Sequence, residues 1–80
     1  MTNDEILMTL TRILCDLIGD DSIVLTSETV RADVPGWDSF QYVNFIVAVE
    51  IELGIKFRIA DVESFETIGE IVTEAQALMS

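Results

Sequence analysis

This chain of 80 residues has no histidine, one cysteine, one proline and only four basic side chains against fifteen acidic ones. Each shortage removes a class of function. Without histidine there is no Ser-His-Asp or Cys-His catalytic arrangement and no imidazole metal site, and no metal ligand set is expected. A single cysteine allows no disulfide within the chain. Cys15 falls beside Met8 at the edge of an apolar helical stripe, with no cation or base near it, and reads as a small packing residue rather than an activated thiol. The formal net charge of −11 disfavours nucleic acid, whose binders are basic. It suits partners with basic patches, which long-range steering would draw in. It also keeps a chain that is 50% hydrophobic in solution, and the charge by itself does not separate these two readings.

Long apolar runs are missing too. None approaches the roughly 20 residues of a membrane span. Met1-Thr2-Asn3-Asp4-Glu5 lacks the basic start and apolar core of a signal peptide, so the expectation is a cytoplasmic protein. The acidic residues between Asp20 and Asp38 do not alternate as in a calcium loop and lack its final Glu. A chain this short buries only about 60% of its unfolded surface, which leaves little room for a core and an enclosed active site together. The expectation is a single domain over residues 1–80 that is not an enzyme.

What is present is helical periodicity. Ile6, Leu7, Leu10, Ile13, Leu14 and Leu17 recur on one face of a segment from about 4 to 18, with Asp4, Glu5, Thr9, Arg12 and Asp16 on the other. Thr2 with Glu5 fits a capping box, and Gly19 fits a stop. Residues from about 19 to 38 form a long connection rich in turn and cap formers. Ile23, Val24, Leu25 and Val30 are expected to pin it to the core, with a short helical turn near Ser27-Glu28-Thr29. A loop of this length in a small domain is uncommon and often functional.

A second helix is predicted from Ser39 to Leu53, stopped by Gly54. It is apolar over most of its circumference, unlike an ordinary surface helix. Tyr42, Phe45, Ile46, Val49 and Leu53 form one stripe, assigned to the core. Phe40, Val43, Val47 and Ile51 form another, beside Asn44 and Glu50. Such a helix either packs on two sides or offers one stripe to a partner. Ile55-Lys56-Phe57-Arg58-Ile59 alternates like a strand but has no strand to pair with, so it reads as an extended connector burying Ile55 and Phe57. A short helix is expected around Asp61 to Phe65. Thr67 with Glu70 forms a second capping box, opening a last helix to about Met79 with Ile68, Ile71, Val72, Ala75, Leu78 and Met79 on its face. The fold class is all-α: a bundle of three main helices plus one short helix.

The junction Gly36-Trp37-Asp38-Ser39-Phe40 carries the chemistry. Ser39 opens a helix, so its hydroxyl is exposed beside backbone N–H groups that favour anions. It is a suitable place for a phosphodiester. Asp38 and Ser39 are also common cap residues, each worth about 0.5–2 kcal/mol at a helix start, and on these two residues alone capping explains the pair.

The pattern Gly36-Trp37-Asp38-Ser39-Phe40, then Val43, Glu50 and Leu53-Gly54-Ile55, with Glu66-Thr67-Ile68-Gly69-Glu70-Ile71 opening the last helix, resembles the acyl carrier protein family. The likeness spans nearly the whole chain. It implies that Ser39 is linked to 4′-phosphopantetheine, transferred from coenzyme A by a phosphopantetheinyl transferase whose metal Asp38 helps to ligate. The arm would carry acyl groups as thioesters for acyl-activating, acyltransferase or synthase enzymes of fatty-acid, polyketide or related acyl metabolism, the carrier itself being a monomer. In such carriers the acyl chain can fold back between the helices. A peptidyl or aminoacyl carrier shares this layout, and a helical adaptor without a prosthetic group remains the more distant alternative.

The chain departs from the family pattern at two places. Phe40 follows the serine where Leu or Met is usual, and Asn44 and Ile51 stand where carboxylates are frequent. The resemblance therefore implies a partner face that is more apolar than usual. It would comprise Phe40, Val43, Asn44, Val47 and Ile51, with charge supplied by Asp38, Glu50, Asp61, Glu63 and Glu66. The competing reading has Ile51 packing on the third helix.

Overall fold

The computed structural model describes all residues, Met1–Ser80. Its first helix, α1, spans Asn3–Ile18. The Thr2 hydroxyl accepts the Glu5 N–H at 3.1 Å, and the Glu5 carboxylate accepts the Thr2 N–H at 2.7 Å, closing the expected capping box. Hydrogen bonding to its carboxylate, first from the Thr2 backbone and then from the Thr2 side chain, holds the exposed Glu5 carboxyl below the usual carboxylate range. Ile6, Leu10, Ile13 and Leu14 are buried. Cys15 is a buried packing residue, and its thiol donates to the Ile23 carbonyl at 3.4 Å.

The long loop is pinned by fewer of the expected residues and by two others. Leu25 is buried and Ile23 partly so, but Val24 is exposed. In extended backbone successive side chains point to opposite sides, so the middle residue of the three faces solvent. Val34 and Trp37 supply the missing anchorage; both are buried in the main core. The helical turn lies at Arg31–Asp33, not at Ser27-Glu28-Thr29. Asp33 reaches back to accept the Val30 N–H at 3.1 Å, while the earlier segment forms a tight turn closed by the Thr29 N–H on the Thr26 carbonyl at 3.1 Å.

Helix α2 spans Ser39–Leu53, the predicted bounds, and ends at Gly54 with φ +68°, a left-handed conformation that Gly adopts without strain. Phe45, Ile46 and Val49 are buried, while Tyr42 and Leu53 are partly covered. The connector that follows is extended and pairs with no strand. It buries Phe57, which meets Phe65 edge-on at 5.5 Å. The short helix α3 spans Ile59–Ser64, starting two residues before the predicted Asp61. Helix α4 spans Ile68–Met79. Its capping box is half made: Thr67 accepts the Glu70 N–H at 3.3 Å, but the Glu70 carboxylate takes the Glu66 N–H at 3.1 Å. Leu78, two turns beyond the buried Ile71, is exposed, while Met79 beside it packs against the core. α1 packs against both α2 and α4.

The loop is stitched to the start of α4 by backbone. The Ile68 N–H donates to the Thr29 carbonyl at 2.9 Å, the Gly69 N–H to the Ser27 carbonyl at 2.8 Å, and Val30 bridges Thr67 in antiparallel fashion. The approach is so close that a Cβ on Gly69 would lie 2.7 Å from the Ser27 carbonyl oxygen. Replacing Gly by Ala inside a helix normally adds about 1 kcal/mol. Gly69→Ala is instead expected to destabilise the protein by about 1–3 kcal/mol, because the obstructing atom is backbone and cannot swing aside. Urea unfolding measures the sign directly, and a gain in stability would show that the seam gives way freely.

Candidate functional site

Ser39 is held from two sides. Upstream, the Trp37 ring is buried, edge-on to Phe45 at 5.1 Å and tilted against Tyr42 at 6.1 Å. Downstream, Asp38 caps α2, its carboxylate accepting the Gln41 N–H at 2.9 Å. Between these fixed points Ser39 occupies the first helical position with its side chain exposed. The first N–H groups of any helix lack intrahelical acceptors and carry partial positive charge. A hydroxyl that is exposed, rigidly placed and adjacent to such groups suits phosphodiester formation.

Ser39 also borders a groove of about 710 Å³ between the Arg31–Asp33 turn, α2 and α3. Trp37, Tyr42, Val43, Val62 and Phe65 are among its walls. The Tyr42 hydroxyl donates to the Val62 carbonyl at 2.7 Å, tying α2 to α3. Burial pushes the Tyr42 phenol above its ordinary pKa, with Arg31 opposing and Glu70 adding to the shift, so it remains protonated as a donor at neutral pH. The Arg31 guanidinium lies 5.3 Å from the centre of the Tyr42 ring. Arg12, Lys56 and Arg58 each pair with carboxylates, whereas Arg31 pairs with none. Sequence reasoning named none of Trp37, Arg31 and Tyr42 as site residues. The usable signal was a tryptophan directly before an Asp-Ser helix start.

The second stripe of α2 is open. Phe40 is 73% and Ile51 77% exposed, with Val43 and Val47 exposed between them. Ile51 therefore does not pack on α3. Asn44 is half-buried, its amide donating to the Gln41 side chain at 3.3 Å. The acidic residues expected to supply charge to this stripe lie in several different settings. The Glu50 side chain is only 13% exposed, and its carboxylate accepts the Phe57 N–H at 2.8 Å and meets Lys56 at 3.9 Å. It serves the connector, because the chain turns back at Gly54 and leaves that N–H needing an acceptor. Asp61 faces a different groove, shared with Asp4, Glu70 and Glu74, and pairs with Arg58 at 3.4 Å. Glu63 and Glu66 are exposed and line the groove that Ser39 borders. No cluster of carboxylates is arranged to hold a metal ion.

No family model matches the chain. It is 32% identical over 72 residues to the acyl carrier protein of Thermotoga maritima, covering 90% of this chain and 89% of that protein. The chain belongs to the acyl carrier protein family. The solution structure of a holo acyl carrier protein from Geobacter metallireducens matches it with a TM-score of 0.84 at 34% identity, over 91% of this chain and 84% of that one. The expected all-α architecture is thus that of the family, whose members are carriers rather than enzymes. This acyl carrier protein presents a buried tryptophan just before the start of α2 and an apolar stripe beyond it.

The cap geometry yields a stability test. Asp38→Ala is expected to lower stability by about 0.5–2 kcal/mol, whereas Asp38→Asn, which keeps an acceptor at the same place, should lose less than half as much. Equal losses in chemical denaturation would mean that the cap is not what Asp38 contributes.

Proposed function

We propose that the chain is one carrier domain over residues 1–80 and that Ser39 bears a 4′-phosphopantetheine arm on which acyl groups travel as thioesters. The observation that carries this reading is the exposed Ser39 hydroxyl at the capped start of α2, on the rim of an apolar groove. The arm supplies a thiol and reach; the protein supplies position. The phosphate sits at a helix N-terminus, an arrangement worth about 0.3–1 kcal/mol at an exposed site. Asp38, next to the hydroxyl, offers a carboxylate oxygen to the metal of the attaching transferase. Tethering raises the local acyl concentration at a docked enzyme to the order of millimolar. The proposed setting is the cytoplasm, where the thiol of Cys15 stays reduced.

The proposed docking face is Phe40, Val43, Val47 and Ile51, edged by Asp38, Asn44 and Glu63, with Asp61 and Glu50 contributing nothing direct. Its partners are acyl-handling enzymes, acyltransferases or synthases, presenting an apolar patch with basic groups around it. A net charge of −11 opposes self-association through the same stripe, so the carrier is a monomer between encounters.

Incubation with coenzyme A and a broad-specificity phosphopantetheinyl transferase should add the mass of one phosphopantetheine, and Ser39→Ala should add none. An unmodified wild-type chain beside an active control would leave the helical adaptor as the better reading. Loading with acyl-activating against amino-acid-activating enzymes then separates acyl from peptidyl carriers.

Docking is expected to depend on apolar contact more than on salt. Burying an isoleucine side chain is worth about 1.5–3 kcal/mol, so Ile51→Ala should weaken binding to a cognate enzyme by roughly tenfold or more. Raising salt from low to moderate concentration should change affinity by less than that. A steep salt dependence that Ile51→Ala leaves untouched would contradict the apolar face.

A further inference from the structure

In a chain with fifteen carboxylates and four basic residues, one cation is left over. Arg31 forms no ion pair, while the other three basic residues each form at least one. Asp33, the nearest carboxylate in sequence, accepts the Val30 N–H instead. Glu63 and Glu66 line the same groove as Arg31, yet neither pairs with it. What Arg31 does contact is the Tyr42 ring, with its guanidinium 5.3 Å from the ring centre, inside the range of a cation–π contact. Its backbone is fixed as well: the Arg31 carbonyl accepts the N–H of the buried Val34 at 3.1 Å. A guanidinium laid against an aromatic ring keeps its N–H edge free for a planar anion-binding fork. Tyr42 lies three residues beyond Ser39 on α2, and residues at that spacing are neighbours on one face. A long helical side chain also leans back over the preceding turn. The ring that carries Arg31 therefore covers the first turn of α2, where Ser39 stands. Arg31 and Ser39 are both exposed and line one groove.

We propose that Arg31 holds the phosphodiester that joins the arm to Ser39, and so acts as the positioning residue for the root of the arm. The proposal rests on Ser39 being the attachment residue. The donor set fits the group. A phosphodiester carries one negative charge shared by two non-bridging oxygens and brings no donor, which matches a guanidinium that has donors to spare and no acceptor. Its phosphorus is bonded to the Ser39 hydroxyl oxygen, so the anion stays at the start of α2 wherever the far end of the arm goes. The rest of the arm, amides and a thiol, is neutral and offers Arg31 no comparable partner. Glu63 and Glu66 are exposed on the groove wall and can stay hydrated, whereas the phosphate is fixed beside the cation. The sign of the effect is distinctive. Attachment adds one more negative charge to a chain of net charge −11, and repulsion alone would then disfavour the compact state. With Arg31 facing the phosphate, attachment favours it instead.

Apo and holo chains, each verified by mass, are melted at about 10 mM and about 1 M salt, where charges reach about 30 and 3 Å. At low salt the wild-type holo form is expected to melt about 2–5 °C above the apo form, the shift of an exposed ion pair in a domain of this size. Most of that difference should vanish at high salt. In Arg31→Gln the holo form should melt no higher than the apo form, because only repulsion remains. Arg31→Lys, which keeps a charge without the fork, should retain part of the gain. Loss of the contact with Tyr42 affects apo and holo alike and cancels in the difference. The second readout is the Arg31 Nε–H resonance, assigned by its absence in Arg31→Gln. In the wild-type holo form it should shift and exchange roughly twofold to fivefold more slowly than in the apo form. A holo form no more stable than apo at low salt, a holo–apo difference that Arg31→Gln leaves unchanged, or an Nε–H signal identical in the two forms overturns the proposal. If Arg31→Gln does not fold or load, the wild-type melts and the Nε–H signal, assigned through Arg31→Lys, still decide. Failure of the wild-type chain to gain the mass of the arm would count against the Ser39 reading instead.

Discussion

Trp37 closes the long loop onto the core one residue before the cap of α2, and the placement of Ser39 follows from that burial. An aromatic ring of this size removes a large apolar area from water, and here it does so against Phe45 and Tyr42, both on α2 itself. The loop thus ends on the helix it introduces. Asp38 then has a fixed backbone from which to cap, and Ser39 has no freedom left except in its own side chain. The stitch between the loop and α4 works in the middle of the connection, at Ser27, Thr29 and Val30. Together the two attachments tie down a long irregular segment of which only Leu25, Val34 and Trp37 are buried.

The charge distribution follows a similar economy. With four cations for fifteen carboxylates, most acids go unpaired, and the few pairs formed are local. Arg12 bridges α1 to Glu52 of α2 at 3.1 Å, while Lys56 and Arg58 stay with acids close by in sequence. Exposed pairs of this kind contribute little to stability. They do neutralise Asp61 and Glu50 where those residues stand, away from the open stripe of α2. The stripe itself is left apolar. Arg31, the one cation without a carboxylate, lies in the same groove wall as Ser39.

Much of this was legible in the sequence. The bounds of α2, the Thr2–Glu5 box, the extended connector and the two stripes of α2 all follow from periodicity and cap chemistry, which are local rules. The misses share a cause. Glu50 was expected at the partner face because helical angle alone places it beside the stripe. Its actual role depends on a backbone N–H seven residues away that a turn brings into reach. Val24 and the misplaced helical turn belong to a segment with no period to read. Trp37 was legible as a residue type and not as an anchor, since the rings that cover it come from later in the chain. The position of Ser39 could be read from sequence, whereas the groove beside it comes from tertiary packing.

The bond from the Tyr42 hydroxyl to the Val62 carbonyl has a bearing on how α3 is kept in place. α3 is six residues long, too short to be stable by itself, and this bond ties it to α2. A single neutral hydrogen bond contributes about 0.5–1.5 kcal/mol net, only slightly more than thermal energy. Val62 and, just past the end of the helix, Phe65 also pack against the core. The wall of the groove opposite α2 is thus held by side chains at its middle and its end, not by the length of the helix that forms it.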